Sequence, residues 1–147
     1  MTNLDYVSKD WPQRFFLPFR VPSFNNTTDP VYPLGSATVT WKPPAGHLFF
    51  LRRVWHGGSL SAVGTGIVVQ ATVYKGSVNA ANIALNCVTA STDDPGDVNA
   101  ESATPSNTST GKDLITPDEG FLIRVQFSAG DTGTYDGGVV IVEGDMQ

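Results

Sequence analysis

The segment Gly66–Tyr74, GIVVQATVY, decides the fold class of this 147-residue chain. It is dense in β-branched residues, which pack well on the pleated surface of a strand. The segment Gly120–Phe127, GFLIRVQF, adds a regular alternation of apolar side chains, which is typical of a strand with one buried face. Helical patterns are weak throughout, because fifteen glycines and ten prolines interrupt nearly every segment.

Six further segments, elsewhere in the sequence, also have the pattern of a strand. They are Arg14–Val21, Ser36–Lys42, Leu48–Trp55, Ile83–Val88, Leu114–Ile115 and Val139–Val142. Pro18 lies inside the first, and a proline within a strand predicts an edge strand or a bulge. Gly57-Gly58 and Asp136-Gly137-Gly138 predict turns. About eight short strands without helical partners predict an all-β fold, an antiparallel β-sandwich of jelly-roll type.

Two segments do not fit a compact sandwich, so we predict a single domain over residues 14–147 with an N-terminal arm, 1–13. The arm has no strand pattern, and its apolar residues are spaced irregularly, which suits an extended segment that contacts several small pockets. We predict that these residues bind a partner: Leu4, Tyr6, Val7 and Trp11. The second segment, 89–119, is polar and predicts a long loop, and loops of this length are usually functional or disordered.

The composition excludes several classes of function. Nine basic residues against fourteen acidic ones give a net charge of -5, whereas a protein that binds nucleic acid needs many cations to displace counterions. No apolar run approaches the roughly 18 residues of a membrane span, and the N-terminus lacks a signal-peptide pattern. The sequence therefore predicts no nucleic-acid or membrane partner, and synthesis in a cytoplasm without secretion.

Charge is distributed unevenly along the chain. Residues 1–75 have a net charge of +4, and residues 76–147 have a net charge of -9. Strands from the two halves can interleave, which would mix the charges, and this is the preferred interpretation. The alternative is a subunit with a basic, aromatic face and an acidic face, suited to head-to-tail packing. Arg52 and Arg53 are adjacent in a predicted strand, so alternation predicts that one points inward towards a partner.

No motif predicts catalysis or metal binding. His56-Gly57-Gly58-Ser59 has an HGG pattern, but the Gly-x-Ser-x-Gly elbow that accompanies such oxyanion loops is missing. The acidic stretches 93–97 and 131–137 contain enough oxygen ligands for calcium, but Asp and Gly also dominate ordinary turns, which is the preferred interpretation. We therefore expect a protein that is not an enzyme and has no catalytic residues, no metal and no cofactor.

The arm, the polar loop and the helix-poor, cysteine-poor chain together resemble small virion proteins of tailed bacteriophages. These are jelly-roll decoration or cement proteins, and small collar or fibre-base proteins. The resemblance implies a structural virion protein, a capsid decoration subunit that binds and stabilises the assembled particle through its arm and loops. It also implies a virion location, other virion proteins as partners (a major capsid protein, or a tail or collar protein), and a homo-oligomer, often a trimer.

Two other functions remain open on the sequence alone. A carbohydrate-binding β-sandwich module would need exposed, coplanar aromatic side chains, for which the candidates are Trp11, Trp41, Trp55 and Tyr135. A small β-barrel enzyme would need histidines or carboxylates clustered in a pocket.

Overall fold

The computed structural model describes residues 13–63, 68–90, 98–103 and 113–147, which form an all-β sandwich of two antiparallel sheets. Sheet A has the order β1-β9-β3-β6, with β2 also paired to β9 and β7 to β3, and sheet B has the order β5-β4-β8. The strands are β1 (Gln13–Val21), β2 (Phe24–Asn25), β3 (Phe49–Val63), β4 (Val68–Lys75), β5 (Ile83–Ala90), β6 (Val98–Ala103), β7 (Leu114–Ile115), β8 (Phe121–Phe127) and β9 (Gly133–Met146). A short 3₁₀ turn, Ala80–Asn82, precedes β5.

The chain crosses repeatedly between the sheets, as in a jelly roll. After β3 in sheet A it forms β4 and β5 in sheet B, and it returns to sheet A as β6. It crosses again to form β8 and ends as β9, between β1 and β3. Two isolated bridges, Val31 to Val125 and Trp41 to Phe121, place the segment after β2 beside β8, where a fourth strand of sheet B would lie. The predicted antiparallel β-sandwich is confirmed.

The first strand is an edge strand, as its proline predicts. Among the described strands β1 pairs with β9 alone, and Pro18 lies opposite Ile141. Proline has no N–H to donate to the ladder, so its nitrogen must face the open edge of the sheet. Pro18 therefore also hinders the addition of another strand at this edge.

The core lies between the two sheets and is apolar and aromatic. Sheet A contributes Val21, Phe49, Leu51, Val54, Val140 and Val142, and sheet B contributes Val69, Ala71, Val73, Phe121, Ile123 and Val125. The ring of Trp41 lies 5.0 Å from the rings of both Phe49 and Phe121, so this half-buried residue closes one end of the core. Burial of such side chains supplies most of the driving force for folding.

The segment Ser36–Lys42, predicted as a strand, is not one. Residues 33–38 turn, Gly35 has a φ of 121°, and Val39 is 44% exposed. Only Trp41 bridges to β8. The alternation of residue types was therefore misleading, because no neighbouring strand pairs continuously with this segment and a glycine bends the chain.

The predicted turns at two glycine pairs are also wrong. Gly57-Gly58 lies within β3, and Gly137-Gly138 lies within β9, which extends the predicted strand Val139–Val142 in both directions. The two pairs lie opposite each other, with Gly58 paired to Gly138. Gly58 and Gly138 allow close packing against a tyrosine ring, and neither pair reverses the chain.

The segment 89–119 is not a loop throughout. Besides the predicted strand Leu114–Ile115, which is β7, it contains β6, which pairs antiparallel with β3 from Val54 opposite Ala103 to Gly58 opposite Val98. The sequence pattern did not predict β6 because its residues are mostly polar. A strand of any composition can pair with β3, since the hydrogen bonds of the ladder join backbone groups. The arm boundary at residue 13 falls on the first residue of β1.

Candidate interaction surface

The side of sheet A that faces away from the core is the surface with the most distinctive chemistry in the described chain. Along β1, exposed residues alternate with partly buried ones, so every second side chain points outward. We call this surface the outer face. It consists of Arg14, Phe16, Pro18 and Arg20 of β1, Val139, Ile141, Glu143 and Asp145 of β9, and Phe50, Arg52, Arg53 and Trp55 of β3.

One end of the outer face holds a network of charges. Arg14 Nε donates to Asp145 Oδ1 at 2.5 Å, and Arg14 Nη1 donates to Glu143 Oε1 at 2.5 Å. Arg52 Nε donates to Asp145 Oδ2 at 2.8 Å. Burial alone would raise the pKa of Asp145, but the hydrogen bonds from the two arginines outweigh it and hold the pKa below its usual value. The network therefore joins β1, β9 and β3 across the sheet.

A β-bulge places both adjacent arginines on the outer face. The pairing of β3 with β9 shifts between Leu51, opposite Gly144, and Arg53, opposite Glu143. The extra residue, Arg52, then points outward with Arg53, and the expectation that one of the two points inward is wrong. The Arg53 guanidinium lies over the ring of Trp55, 5.1 Å from its centroid.

The middle of the outer face is apolar and open to solvent. Phe16 is 59% exposed, and Val139 is 37% exposed. Pro18 and Ile141 lie opposite each other between them, and Trp55 follows on β3. The Trp55 indole N–H donates to Glu143 at 3.3 Å, which fixes the ring beside the charge network. Contiguous apolar surface rimmed by arginines is typical of a protein-binding site.

The inner side of the same sheet contains the one buried histidine of the described residues, His56. Its Nε2 lies 3.2 Å from the hydroxyl of Tyr135, which donates to the carbonyl of Gly57 at 3.2 Å. A tyrosine hydroxyl has a single proton, and Tyr135 donates it to the carbonyl oxygen of Gly57. The Tyr135 oxygen can therefore only accept from His56, so the His56 Nε2–H is the donor between them. His56 Nδ1 is then the unprotonated nitrogen, and it has no hydrogen-bond partner.

The environment of this pair keeps both groups neutral. Burial lowers the pKa of His56 from 6.5 to about 4, and burial also raises the pKa of Tyr135. The glycine pairs make room for the tyrosine ring, because a Cβ on Gly58 or Gly138 would overlap the Tyr135 hydroxyl. The HGG pattern is thus part of a central strand of sheet A, in which the His56 side chain is fully buried.

A polar cleft of about 510 Å³ opens near Lys75, the last residue of β4 in sheet B. Its lining includes Thr38, Thr40, Ser77, Asn82, Asp118 and Glu119. Lys75 also lines the cleft, and its Nζ lies 3.1 Å from a Glu119 carboxylate oxygen. The cleft therefore offers hydroxyl, amide and carboxylate oxygens, which are hydrogen-bond acceptors for a cationic group.

The arm residues predicted to bind a partner, Leu4, Tyr6, Val7 and Trp11, lie outside the described residues, as does the acidic stretch 93–97. In the other acidic stretch, Asp131 accepts a hydrogen bond from the Val68 N–H at 2.9 Å, as a turn residue does. Within the described ranges no three His, Cys, Asp or Glu side chains group together as metal ligands. No helix in the described part of the chain has the length and apolarity to cross a membrane.

The aromatic residues proposed for sugar stacking are placed differently from one another. Trp41 packs into the core, Tyr135 is buried, and one face of Trp55 is covered by Arg53. Sequence reasoning missed the outer face itself. One sequence feature could have predicted it. In the predicted edge strand the alternate residues Arg14, Phe16, Pro18 and Arg20 share one side, and this side includes an aromatic residue.

Comparisons with known proteins return little. No family model matches the chain, and no curated protein matches it. A solved structure described as the crystal structure of infectious bursal disease virus VP2 subviral particle aligns with a TM-score of 0.40 and 10% identity. The alignment covers 92% of this chain and 33% of that chain, so the present chain spans about a third of that protein's length.

Proposed function

We propose that this chain is a structural virion protein, a capsid decoration or cement subunit that binds and stabilises the assembled particle through its arm and loops. The observation that carries the proposal is the outer face. The core is closed between the two sheets, yet the outer face of sheet A exposes an apolar surface. Arginines surround this surface, and their contacts hold three of them in place. Such a surface suits lasting contact with other protein chains rather than turnover of a small substrate.

The sequence of the arm supports the same role. Residues 1–13 come directly before Arg14 of the edge strand β1, which belongs to the charge network. An arm that becomes ordered on docking must bury apolar side chains to offset its lost entropy, and it contains four: Leu4, Tyr6, Val7 and Trp11. The proposed role is non-enzymatic, requires no metal or cofactor, and places the protein in the virion after synthesis in the host cytoplasm.

The direct test is to purify virions of the virus that encodes the chain and to quantify their proteins by mass spectrometry. We expect the chain at a fixed ratio to a major structural protein, retained after washing in high salt. Absence from the particles, or a trace amount that washing removes, would contradict the proposal. Binding of the isolated chain to a glycan array would instead support the carbohydrate-binding alternative.

The arm is tested separately, by measuring how the full-length chain binds to particles from which this chain is absent. Burial of one aromatic side chain contributes roughly 2–3 kcal/mol, so Trp11→Ala should weaken particle binding about 30- to 150-fold. Trp11→Phe is the matched control, because it keeps a buried ring and should retain most of the affinity. Equal binding by Trp11→Ala and the unchanged chain would show that the arm is not the attachment device.

A further inference from the structure

The apolar middle of the outer face lies between two arginines that bind no carboxylate. Arg14 and Arg52 bind carboxylates of β9, whereas no carboxylate oxygen lies within 4.0 Å of Arg20 or Arg53 in the described ranges. Arg53 lies in the same cross-strand row as Phe16, and Arg20 lies further along β1, opposite Val139 of β9. A partner with an acidic group near each end of an apolar stretch would therefore match this face in both charge and polarity.

The N-terminal arm has this composition. Its four apolar side chains lie around Asp5 and Asp10, and its one basic side chain is Lys9. In an extended chain Asp5 and Asp10 would be about 17 Å apart, at about 3.3 Å per residue. Arg20 and Arg53 are separated by about 13 Å along the strands and by two strand spacings of about 4.8 Å across them, which is about 16 Å diagonally. The spacing of the two acids therefore agrees with the spacing of the two cations.

Two other acidic parts of the chain fit this face less well. The carboxylates of the outer face itself, Glu143 and Asp145, are already bound by arginines, so two outer faces packed together would bring only like charges into contact. The acidic stretch 93–97 lies in the polar segment 91–111, whose only large apolar residue is Val98. That segment has little to cover an exposed apolar surface, whereas the arm combines acidic and apolar side chains.

The start of β1 favours the outer face of a neighbouring copy over the arm's own outer face. Gln13 is the first residue of β1 and pairs with Met146, so the arm begins at the end of the sheet. To lie on its own outer face the arm would have to reverse direction beside Gln13. Pro12 restricts Trp11 to extended conformations, which favours a chain that continues away from the sandwich. Twelve extended residues span about 40 Å, enough to reach a neighbour.

We propose that the arm of one copy of this chain binds the outer face of a neighbouring copy, with its two aspartates at Arg20 and Arg53 and its apolar side chains over Phe16. This inference rests on the proposed structural role and names the surface that receives the arm. Copies linked in this way bind a particle at several points at once, so each copy is held more tightly than it would be alone.

The test uses two full-length variants with reversed charges in analytical ultracentrifugation. Asp5→Lys/Asp10→Lys reverses the arm, and Arg20→Glu/Arg53→Glu reverses the outer face. The unchanged chain should associate reversibly, and each variant alone should associate at least about tenfold more weakly, because like charges then meet at both ends of the contact. An equimolar mixture of the two variants should recover association, because the reversed arm meets the reversed face and the unchanged arm meets the unchanged face. Mixing cannot restore a contact within one copy.

Controls separate a lost contact from a lost fold or a general charge effect. Asp118→Lys reverses an exposed carboxylate outside the arm and the outer face, and it should associate as the unchanged chain does. Thermal melting of every variant should match that of the unchanged chain. An unchanged chain that is monomeric at all concentrations, or a mixture that does not recover association, overturns the inference. If the chain is nevertheless found in virions, the structural role stands without the arm contact, whereas recovered association by a chain absent from virions leaves the arm contact standing without that role.

Discussion

The two sides of sheet A are built from the same three strands and have opposite chemistry. The inner side packs Phe49, Val54 and Val140 against sheet B and contains a single neutral polar pair, His56 with Tyr135. The outer side has six charged residues around an exposed apolar middle. Residues one apart in a strand point to opposite sides, so a neighbouring position can serve either the fold or an interaction. Variants on the two sides should therefore separate stability from binding.

The largest contrast is expected between two phenylalanines. Phe49→Ala empties a fully buried position and should lower the free energy of unfolding by about 3–5 kcal/mol. Phe16→Ala, at a position 59% exposed, should change it by no more than about 0.5 kcal/mol. Urea unfolding followed by tryptophan fluorescence measures both. Equal destabilisation by the two variants would mean that the outer face is part of a core.

The next effect concerns the close packing of glycine against Tyr135. Gly58→Ala places a Cβ into the tyrosine hydroxyl and should cost about 3 kcal/mol. In a Tyr135→Ala background the clash is gone, so the same substitution should cost much less, and a double-mutant cycle should show a coupling of at least about 2 kcal/mol. Additive costs in that cycle would contradict the proposed packing.

The buried histidine makes stability depend on pH. The pKa of His56 is about 4 in the folded protein and 6.5 in the unfolded chain, so the unfolded chain binds more protons between these values. The free energy of unfolding should be independent of this group above pH 6.5, fall by about 3 kcal/mol as the pH drops to 4, and level off below. His56→Gln should abolish that slope, whereas His47→Gln, at an exposed position, should leave it unchanged.

The smallest effect is expected on the outer side, at Asp145. Its lowered pKa means that its contribution is present above about pH 4, the value for an unfolded aspartate, and is lost as the pH falls through the folded value. Asp145→Asn should cost about 1 kcal/mol or less at neutral pH, because its arginine partners are half exposed. The cost should shrink between about 0.1 M and 1 M salt, where screening strengthens. A larger, salt-independent cost would assign Asp145 to the core.

Prediction from the sequence succeeded where a local pattern was enough. The alternation in Gly120–Phe127 and the β-branched run in Gly66–Tyr74 correspond to β8 and β4, and Pro18 correctly predicted an edge strand. It failed at Ser36–Lys42, where the alternation was equally clear but no strand pairs continuously alongside. An alternating pattern of side chains shows only which residues could face a core. Whether the segment forms a strand depends on another strand that pairs with its backbone, and that strand comes from a distant part of the sequence.

Interleaving of the chain halves followed the preferred expectation, with Arg14 and Arg52 from the basic half bound to Asp145 from the acidic half. The sequence by itself determined the all-β class, because glycines and prolines interrupt every helical pattern and the β-branched and alternating segments favour strands. Only the tertiary structure decided that Gly57-Gly58 continues a strand, since Gly58 makes room for the Tyr135 ring, which comes from a strand far away in the sequence. It likewise decided that Arg52 and Arg53 share one face, because a bulge depends on the register with a partner strand and leaves no mark in the alternation of a single segment.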